Sequence, residues 1–258
     1  MRIRVLLDSC VLVAASVHMV SDEIKLELKH PFFDESMNLV GLLKKHLAKR
    51  VGIITSTVEN ETRLVIERAV RDEIASKESD QLKAHALRLS VVVNSCEERL
   101  DSILSNLLRE PIDTDERSKY YAKVCEMYDF WIDYGRQLNI AENASARTEA
   151  VSKAYKKEAY RIYRQQDYQV NRQAMRLCKL PPDHTDKLVL SEAIYLYNLY
   201  KQTEGKEVKV FVASTDTHFS PTRGDLPSRV VTDDIISRFG VLCDWPNDVA
   251  KNVRENIK

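Results

Sequence analysis

The chain has 258 residues, of which 44% are hydrophobic and 30% charged, and its 39 basic residues balance its 39 acidic ones. This composition excludes global disorder and a generally basic, polyanion-binding surface. The five cysteines form no C-x-x-C pair, which favours reduced thiols and a cytoplasmic protein. The apolar start is interrupted by Asp8 and lacks the cleavage pattern of a signal peptide, and no apolar run reaches the roughly 20 residues of a membrane span.

The first part of the chain alternates between predicted strands and predicted helices. The run IRVLL (3–7) is apolar apart from Arg4 and predicts a buried strand, and the apolar spacing of residues 36–50 predicts a helix. A second buried strand is predicted at 51–55, and a helix then begins near Ser56 or Thr57, because either hydroxyl can cap it. Strands that alternate with helices predict a parallel sheet with helices on its faces.

The middle of the chain has a different pattern, with one glycine and no strand signal between residues 77 and 180. Apolar residues recur there in alternating steps of four and three, which is typical of a coiled-coil-like seam. The seam consists of Leu82, Ala86, Leu89, Val93, Cys96, Leu100, Ile103 and Leu107. The segment 109–117 breaks the pattern, and Asp113 or Thr114 is the predicted cap of the next helix. The helical pattern then continues to residue 180, and a second break is considered at residues 139–145. We therefore predict an inserted helical hairpin or bundle whose seam is either its core or a homodimer interface.

The strand and helix alternation returns near the end of the chain. Asp183 and Asp186 have the spacing of a capping box at the start of a helix, and strands are predicted at 208–214 and 240–245. The predicted organisation is a core in two parts with a helical insertion between them: residues 1–76, 77–180 and 181–258.

Four carboxylates are predicted to meet at one edge of the sheet. Asp8 and Asp216 each follow a predicted strand, and Glu61 and Asp186 lie in the first turns of predicted helices. In a parallel sheet these positions lie at the same edge, where open α/β folds bind ligands. Clustered carboxylates repel one another unless a cation lies between them. An all-oxygen set of this kind suits Mg²⁺ or Mn²⁺ better than zinc.

Four segments resemble, in order, the acidic motifs of PIN-domain nucleases: VLLDSCVLV at the start, TSTVENE at 55–61, DKLVLSEA at 186–193 and VFVASTDTHF at 210–219. The resemblance covers residues 1–75 and 181–245. It implies a three-layer α/β/α sandwich with a central parallel sheet, and Mg²⁺- or Mn²⁺-dependent cleavage of single-stranded or structured RNA. It also implies a supporting hydroxyl at Ser214 and four metal-binding, catalytic acids, Asp8, Glu61, Asp186 and Asp216.

The sequence departs from the family pattern at several positions. Cys10 stands where the family usually has Asn or Ser, and we interpret it as a buried, small apolar residue. Glu59 competes with Glu61 for the second acidic position, and Asp183 competes with Asp186 for the third. His218, which follows Asp216 by two residues, is a further candidate ligand, and we interpret it as a packing or surface residue.

The stretch 147–179 carries nine basic and three acidic residues interleaved with tyrosines. Basic side chains contact phosphates and aromatic rings stack on bases, so this stretch is either an RNA-binding surface or a solvated helix face. The candidate RNA-binding residues are Lys153, Lys157, Tyr160, Arg161 and Arg164.

Two other enzyme classes are excluded by particular residues. A haloacid-dehalogenase-type phosphatase requires Asp at position 10, where this chain has Cys10, and the six glycines form neither a GxGxxG nor a GxxxxGK motif. Two hypotheses are left. The chain is either a metal-dependent endoribonuclease, or a catalytically inactive PIN-like domain that binds RNA or serves as an assembly scaffold.

Overall fold

The protein is described by a computed structural model that covers residues 2–21, 26–76, 86–146, 168–205, 207–216, 218–219 and 230–257. In chain order the strands are β1 (Arg2–Leu7), β2 (His18–Ser21), β3 (Leu26–Lys29), β4 (Gly52–Ile54), β5 (Leu108–Arg109), β6 (Val208–Ala213) and β7 (Leu242–Asp244). The α-helices are α1 (Ser9–Ser16), α2 (Phe33–Lys45), α3 (Ser56–Ser76), α4 (Ala86–Leu104), α5 (Thr114–Ala146), α6 (Tyr168–Lys179), α7 (His184–Thr203), α8 (Val230–Phe239) and α9 (Pro246–Asn256).

Five strands form a parallel sheet in the order β5–β4–β1–β6–β7. The central strand β1 pairs along its whole length with β6, so that Leu7 lies opposite Ala213. On its other side, Val5 of β1 pairs with Gly52 of β4. Because β1 has a hydrogen-bonded neighbour on each side and helices cover the sheet, its side chains from Ile3 to Leu7 are buried. This position explains why the run is apolar apart from Arg4, whose guanidinium forms an ion pair with Glu204.

Helices flank the sheet. Helix α7 packs on β6 and against α5, whereas α9 packs on α2 and contacts β1 and β6. Helix α1 contacts α2, α3 and α4. The prediction of an α/β protein with a central parallel sheet and flanking helices is therefore confirmed, and the arrangement is compatible with a three-layer sandwich. None of the helices in the described ranges has the length and apolarity that a membrane crossing requires.

Residues 77–180 contribute to the sheet and to the main core. Strand β5 lies in this range, and its Leu108 pairs with Ile53 of β4. The expectation of no strand here is wrong, because a two-residue strand is too short to produce an alternating pattern. Helix α4 packs on α3 and α1, and the seam residues Cys96 and Leu100 are fully buried in the same core as the sheet. The division into a core and an insertion stays a prediction.

Helix α5 begins as the sequence indicates but continues further. Asp113 Oδ1 accepts hydrogen bonds from the backbone N–H groups of Asp115 and Glu116, which confirms the predicted cap. The helix then runs without interruption to Ala146, so the break considered at 139–145 is absent.

The sequence did not predict three elements of the fold: helix α1, the antiparallel hairpin of β2 and β3, and helix α9. Helix α1 has buried residues on all sides, including Val11, Leu12 and Ala14. A helix buried on all sides has no polar stripe and therefore no helical periodicity.

The close approach of α5 to α6 at Gly135 provides a test of the packing. A Cβ atom at Gly135 would lie 1.9 Å from the carbonyl oxygen of Ala174, which is backbone and cannot rotate away. We expect Gly135→Ala to lower the free energy of unfolding by roughly 1–3 kcal/mol, although alanine favours helices. Gly41→Ala in α2 is the matched control, because no atom lies within 4 Å of its Cβ position. It should stabilise the protein by up to about 1 kcal/mol. Urea denaturation measures both effects, and equal midpoint shifts would contradict this packing.

Candidate metal centre

The candidate centre lies where the strand order of the sheet reverses. The chain runs from β1 outward to β4 and β5, and later from β6 outward to β7. The crevice at the carboxyl ends of β1 and β6 is therefore the switch point, which is where open α/β sheets bind ligands. Asp8 directly follows β1, and Ser214 directly follows β6, with Asp216 two residues beyond it.

Asp8 is buried at the junction of β1 and α1, with 3% of its surface exposed. Its Oδ1 accepts a hydrogen bond from Ser9 N at 2.7 Å, which caps α1. Its Oδ2 accepts from Ser214 Oγ at 2.6 Å and from Cys10 Sγ at 2.9 Å. Burial raises the pKa of Asp8, these hydrogen bonds lower it, and the charge of Asp216 raises it further. Three donors therefore hold this carboxyl group in one orientation.

Ser214 connects the end of β1 to the loop that carries Asp216. Its side chain is fully buried, its hydroxyl donates to Asp8, and the same oxygen accepts a hydrogen bond from Asp216 N at 2.9 Å. Asp8 N also donates to the carbonyl of Ala213 at 3.0 Å. These bonds fix the two acids relative to each other through one hydroxyl. This is the position expected of a supporting residue, and the supporting role itself stays a prediction.

Cys10 takes part in the same hydrogen-bond network, so its interpretation as an apolar filler is wrong. Its partly buried thiol donates to Asp8, and its sulfur accepts a hydrogen bond from Thr215 N at 3.1 Å. Burial and the neighbouring Asp8 charge raise the pKa of the thiol well above its ordinary value. The thiol is therefore protonated and donates a hydrogen bond to Asp8. From the sequence, Cys10 was interpreted only as a small apolar side chain.

Asp183 and Asp186 form the predicted capping box at the start of α7. Asp183 Oδ1 accepts from Asp186 N at 2.9 Å, and Asp186 Oδ2 accepts from Asp183 N at 3.1 Å. Asp183 is exposed, whereas Asp186 is partly buried. Burial and then the charges of Asp216 and Asp8 raise the pKa of Asp186 to about 8. The same carboxyl group therefore caps the helix and belongs to the acidic cluster.

Glu61 and Glu59 have different neighbours, although both lie in the first turns of α3. Burial raises the pKa of Glu61, a hydrogen bond with the Ser9 side chain lowers it, and the charge of Asp8 raises it. Glu59 instead forms an ion pair with Arg109 at 3.0 Å on the other side of the helix. Glu61 is therefore the acid of this pair that reaches the centre.

Three side chains offer ligand atoms that lie within 4.8 Å of one another: Asp186, Asp216 and His218. All three are partly buried, so the cluster opens to solvent. Asp8 interacts electrostatically with both aspartates of this group, whereas Glu61 interacts with Asp8 and lies at the margin. The structure thus brings the four predicted acids to one edge of the sheet. It adds an imidazole that the sequence interpretation had assigned to packing or to the surface.

Two further groups from α5 lie outside the predicted motifs. The side chain of Tyr128 is fully buried, and Asp186 and Asp216 are among its electrostatic neighbours. Burial raises the pKa of this phenol well above its ordinary value. Arg117 donates to the fully buried Glu192 of α7 at 3.0 Å. No local pattern could have identified these two residues, because their contacts depend on the packing of α5 on α7.

The predicted RNA-binding side chains lie outside the described residues: Lys153, Lys157, Tyr160, Arg161 and Arg164. The structure describes the end of this basic stretch within α6, where Arg172 is exposed. Arg176 of the same helix is close enough to His218 to lower the pKa of that imidazole, although burial has the larger effect and the Asp216 charge opposes both. Binding of RNA by the stretch stays a prediction.

The raised pKa of Asp186 predicts a pH-dependent stability in metal-free buffer. Its carboxyl group has the ordinary aspartate pKa of 3.8 when unfolded and a pKa of about 8 when folded. Between these values the folded state holds a proton that the unfolded state has released, so stability falls as pH rises from about 4 to about 8. Asp186→Asn should flatten this decline and raise the Tm at pH 8, where each kcal/mol shifts the Tm by about 2–4 °C in a chain of this size.

Asp183→Asn is the matched control for this measurement, because Asn caps a helix about as well as Asp. It should retain most of the slope of Tm against pH, because the charge of Asp183 raises the pKa of Asp186 less than burial and the charges of Asp216 and Asp8 do. A slope that persists in Asp186→Asn and disappears in Asp183→Asn would show that the wrong carboxyl group has been assigned.

Comparison with known proteins supplies no relative for this arrangement, since no family model, no curated protein and no solved structure matches the chain. The chemistry of the centre is therefore argued from the residues themselves. They provide a buried aspartate at the end of the central strand, two partly buried aspartates beside it, and an imidazole within reach of both.

Proposed function

We propose that the chain is a PIN-like, Mg²⁺- or Mn²⁺-dependent endoribonuclease. The observation that carries the proposal is the convergence of Asp8, Asp186 and Asp216 from three distant segments at the switch point of the sheet. In the part of the chain that the structure describes, none of these carboxyl groups forms an ion pair with Lys or Arg. Carboxylates that cluster without a cationic side chain require protonation or a bound cation.

The residues fit a divalent cation in their chemistry and in their access to solvent. Carboxylate oxygens from Asp186 and Asp216 are the donors that hard cations prefer, and both side chains are partly exposed. Asp8 is buried behind them with its orientation fixed by Ser214. The elevated pKa of Asp186 fits the same site, because a cation replaces the proton that Asp186 otherwise holds.

A bound divalent cation supplies charge stabilisation for phosphodiester oxygens and lowers the pKa of a coordinated water molecule. The chain's own residues supply the geometry. Ser214 keeps Asp8 and the backbone of Asp216 in a fixed relation, and Asp183 holds Asp186 at the first turn of α7. Glu61 lies at the margin, beside Asp8, where it can accept a proton or orient a water molecule.

The identity of the substrate and the finer description of the fold rest on the resemblance. Its four acidic motifs support a PIN-like three-layer sandwich, and RNA is the substrate that the family most often cleaves. In this proposal residues 77–180 are the part of the chain that the family core lacks. They also contain β5 and the buried part of α4, so they would be structurally integrated rather than appended.

Removal of either central acid tests the proposal. Asp8→Asn and Asp216→Asn should each reduce Mn²⁺-dependent cleavage of a single-stranded RNA by at least about 100-fold, because even an outer-shell partner of a metal costs 10–100-fold. Circular dichroism and gel filtration should show an unchanged fold. If the wild type cleaves neither RNA nor DNA with Mg²⁺ or Mn²⁺ but binds RNA, the catalytically inactive scaffold is the correct alternative.

The two glutamates of α3 provide a paired test of the register. Glu61→Gln should reduce cleavage strongly, because it removes the negative charge beside Asp8. Glu59→Gln removes a surface ion pair with Arg109, which is worth about 0–1 kcal/mol of stability, and should leave cleavage nearly unchanged. Steady-state cleavage rates at saturating RNA distinguish the two variants. Equal losses, or a larger loss in Glu59→Gln, would refute the assignment of the second acid.

A further inference from the structure

His218 is held beside the acidic cluster by the turn that follows β6. Its backbone N–H donates to Asp216 Oδ1 at 2.7 Å, and Phe219 N donates to the carbonyl oxygen of Asp216 at 3.3 Å. The Phe219 side chain is fully buried, so it anchors the turn in the core. The imidazole Nε2 lies 3.8 Å from Asp216 Oδ1, and 13% of the side chain is exposed. His218 therefore lies within the centre and not on the open surface.

The spacing of the three side chains fits a shared cation. Ligand atoms of Asp186, Asp216 and His218 lie within 4.8 Å of one another. Around an octahedral ion with bonds of about 2.1 Å, ligand atoms lie about 3–4.2 Å apart. Changes in side-chain torsion angles of Asp186 and His218 can close the remaining difference. The cap at Asp183 and the turn at Asp216 fix the two main chains, so the adjustment falls on the side chains.

A second observation indicates that a ligand belongs in this space. The hydroxyl of Tyr128 is buried and has no hydrogen-bond partner among the described residues. Its electrostatic neighbours are Cys243, Asp186 and Asp216, so the phenol lies near the same cluster. A buried hydroxyl without a hydrogen-bond partner is energetically unfavourable. A cation with its water molecules would offer the hydroxyl a partner and would neutralise both aspartates.

We propose that His218 is a ligand of the same cation as Asp186 and Asp216, so that the centre is a mixed nitrogen and oxygen site that selects first-row transition ions such as Mn²⁺ over Mg²⁺. The proposal rests on the metal site of the proposed function and not on its nuclease activity. Mg²⁺ prefers oxygen donors and gives up its water reluctantly, whereas imidazole is a good ligand for transition ions. One imidazole therefore shifts the selectivity of an otherwise all-carboxylate site.

Metal titration of the full chain tests this selectivity. Isothermal titration of wild type with Mn²⁺ and with Mg²⁺ should show tighter binding of Mn²⁺. His218→Gln should weaken Mn²⁺ binding by roughly 10–100-fold, since loss of a direct ligand costs at least as much as loss of an outer-shell partner. Binding of Mg²⁺ should change by less than about threefold, because Mg²⁺ can retain water in place of imidazole. Asp216→Asn should weaken the binding of both ions.

His184→Gln is the matched control, because His184 is exposed at the start of α7 and its Nδ1 pairs with Tyr121 Oη at 2.8 Å. Pulsed electron paramagnetic resonance of bound Mn²⁺ gives a direct readout of ligation. Nitrogen hyperfine coupling should be present in wild type and in His184→Gln, and absent in His218→Gln. Circular dichroism confirms that each variant is folded.

The outcomes separate this inference from the proposed function. Nitrogen coupling that depends on His218 supports the ligand assignment even if no RNA is cleaved. Mn²⁺ binding without nitrogen coupling, and with equal affinity in His218→Gln, overturns the assignment and leaves the nuclease proposal standing. Failure of wild type to bind Mn²⁺ at all overturns both.

Discussion

The hydrogen bond from Ser214 Oγ to Asp8 Oδ2 is the interaction on which the geometry of the centre depends. It joins the ends of two adjacent parallel strands, β1 and β6, which are separated by about two hundred residues of sequence. The same oxygen accepts the N–H of Asp216, so one buried hydroxyl sets the positions of two acids. The register that places Leu7 opposite Ala213 also places Asp8 beside Ser214. A shift of one residue in this register would separate the two side chains.

The energetics of the cluster explain why it points to a ligand. Asp8 is buried yet receives three hydrogen bonds, which lower the cost of its charge. Asp186 accepts no such set of hydrogen bonds apart from the one in its capping box. Burial and the charges of Asp216 and Asp8 therefore raise its pKa to about 8. Asparagine would cap α1 about as well as Asp8 does, without the negative charge. Retention of repelling acids at the switch point is a feature of binding sites more than of stable cores.

The parts of the fold that were predictable are those with a long, regular pattern. The strands β1, β4 and β6 are mostly apolar, and the capping box at Asp183 and the cap at Asp113 have fixed local spacing. Strand β5 and helix α1 were not predictable, since one has two residues and the other is buried on all sides. The four acids were found because each lies shortly after a predicted strand or in the first turns of a predicted helix. Tyr128 was missed because its relation to the acids exists only in the folded chain, whereas His218 was considered as a ligand and assigned to packing or to the surface.

The proposed function requires that the acidic edge of this sheet holds a divalent cation. Anomalous diffraction from crystals soaked in Mn²⁺ tests it most directly, because the scattering identifies the ion and its position together. We expect one strong anomalous peak between the carboxylates of Asp186 and Asp216, with Asp8 in or beside the coordination sphere. Absence of a peak at this edge at saturating Mn²⁺, with the carboxyl groups bonded only to one another and to water, would contradict it.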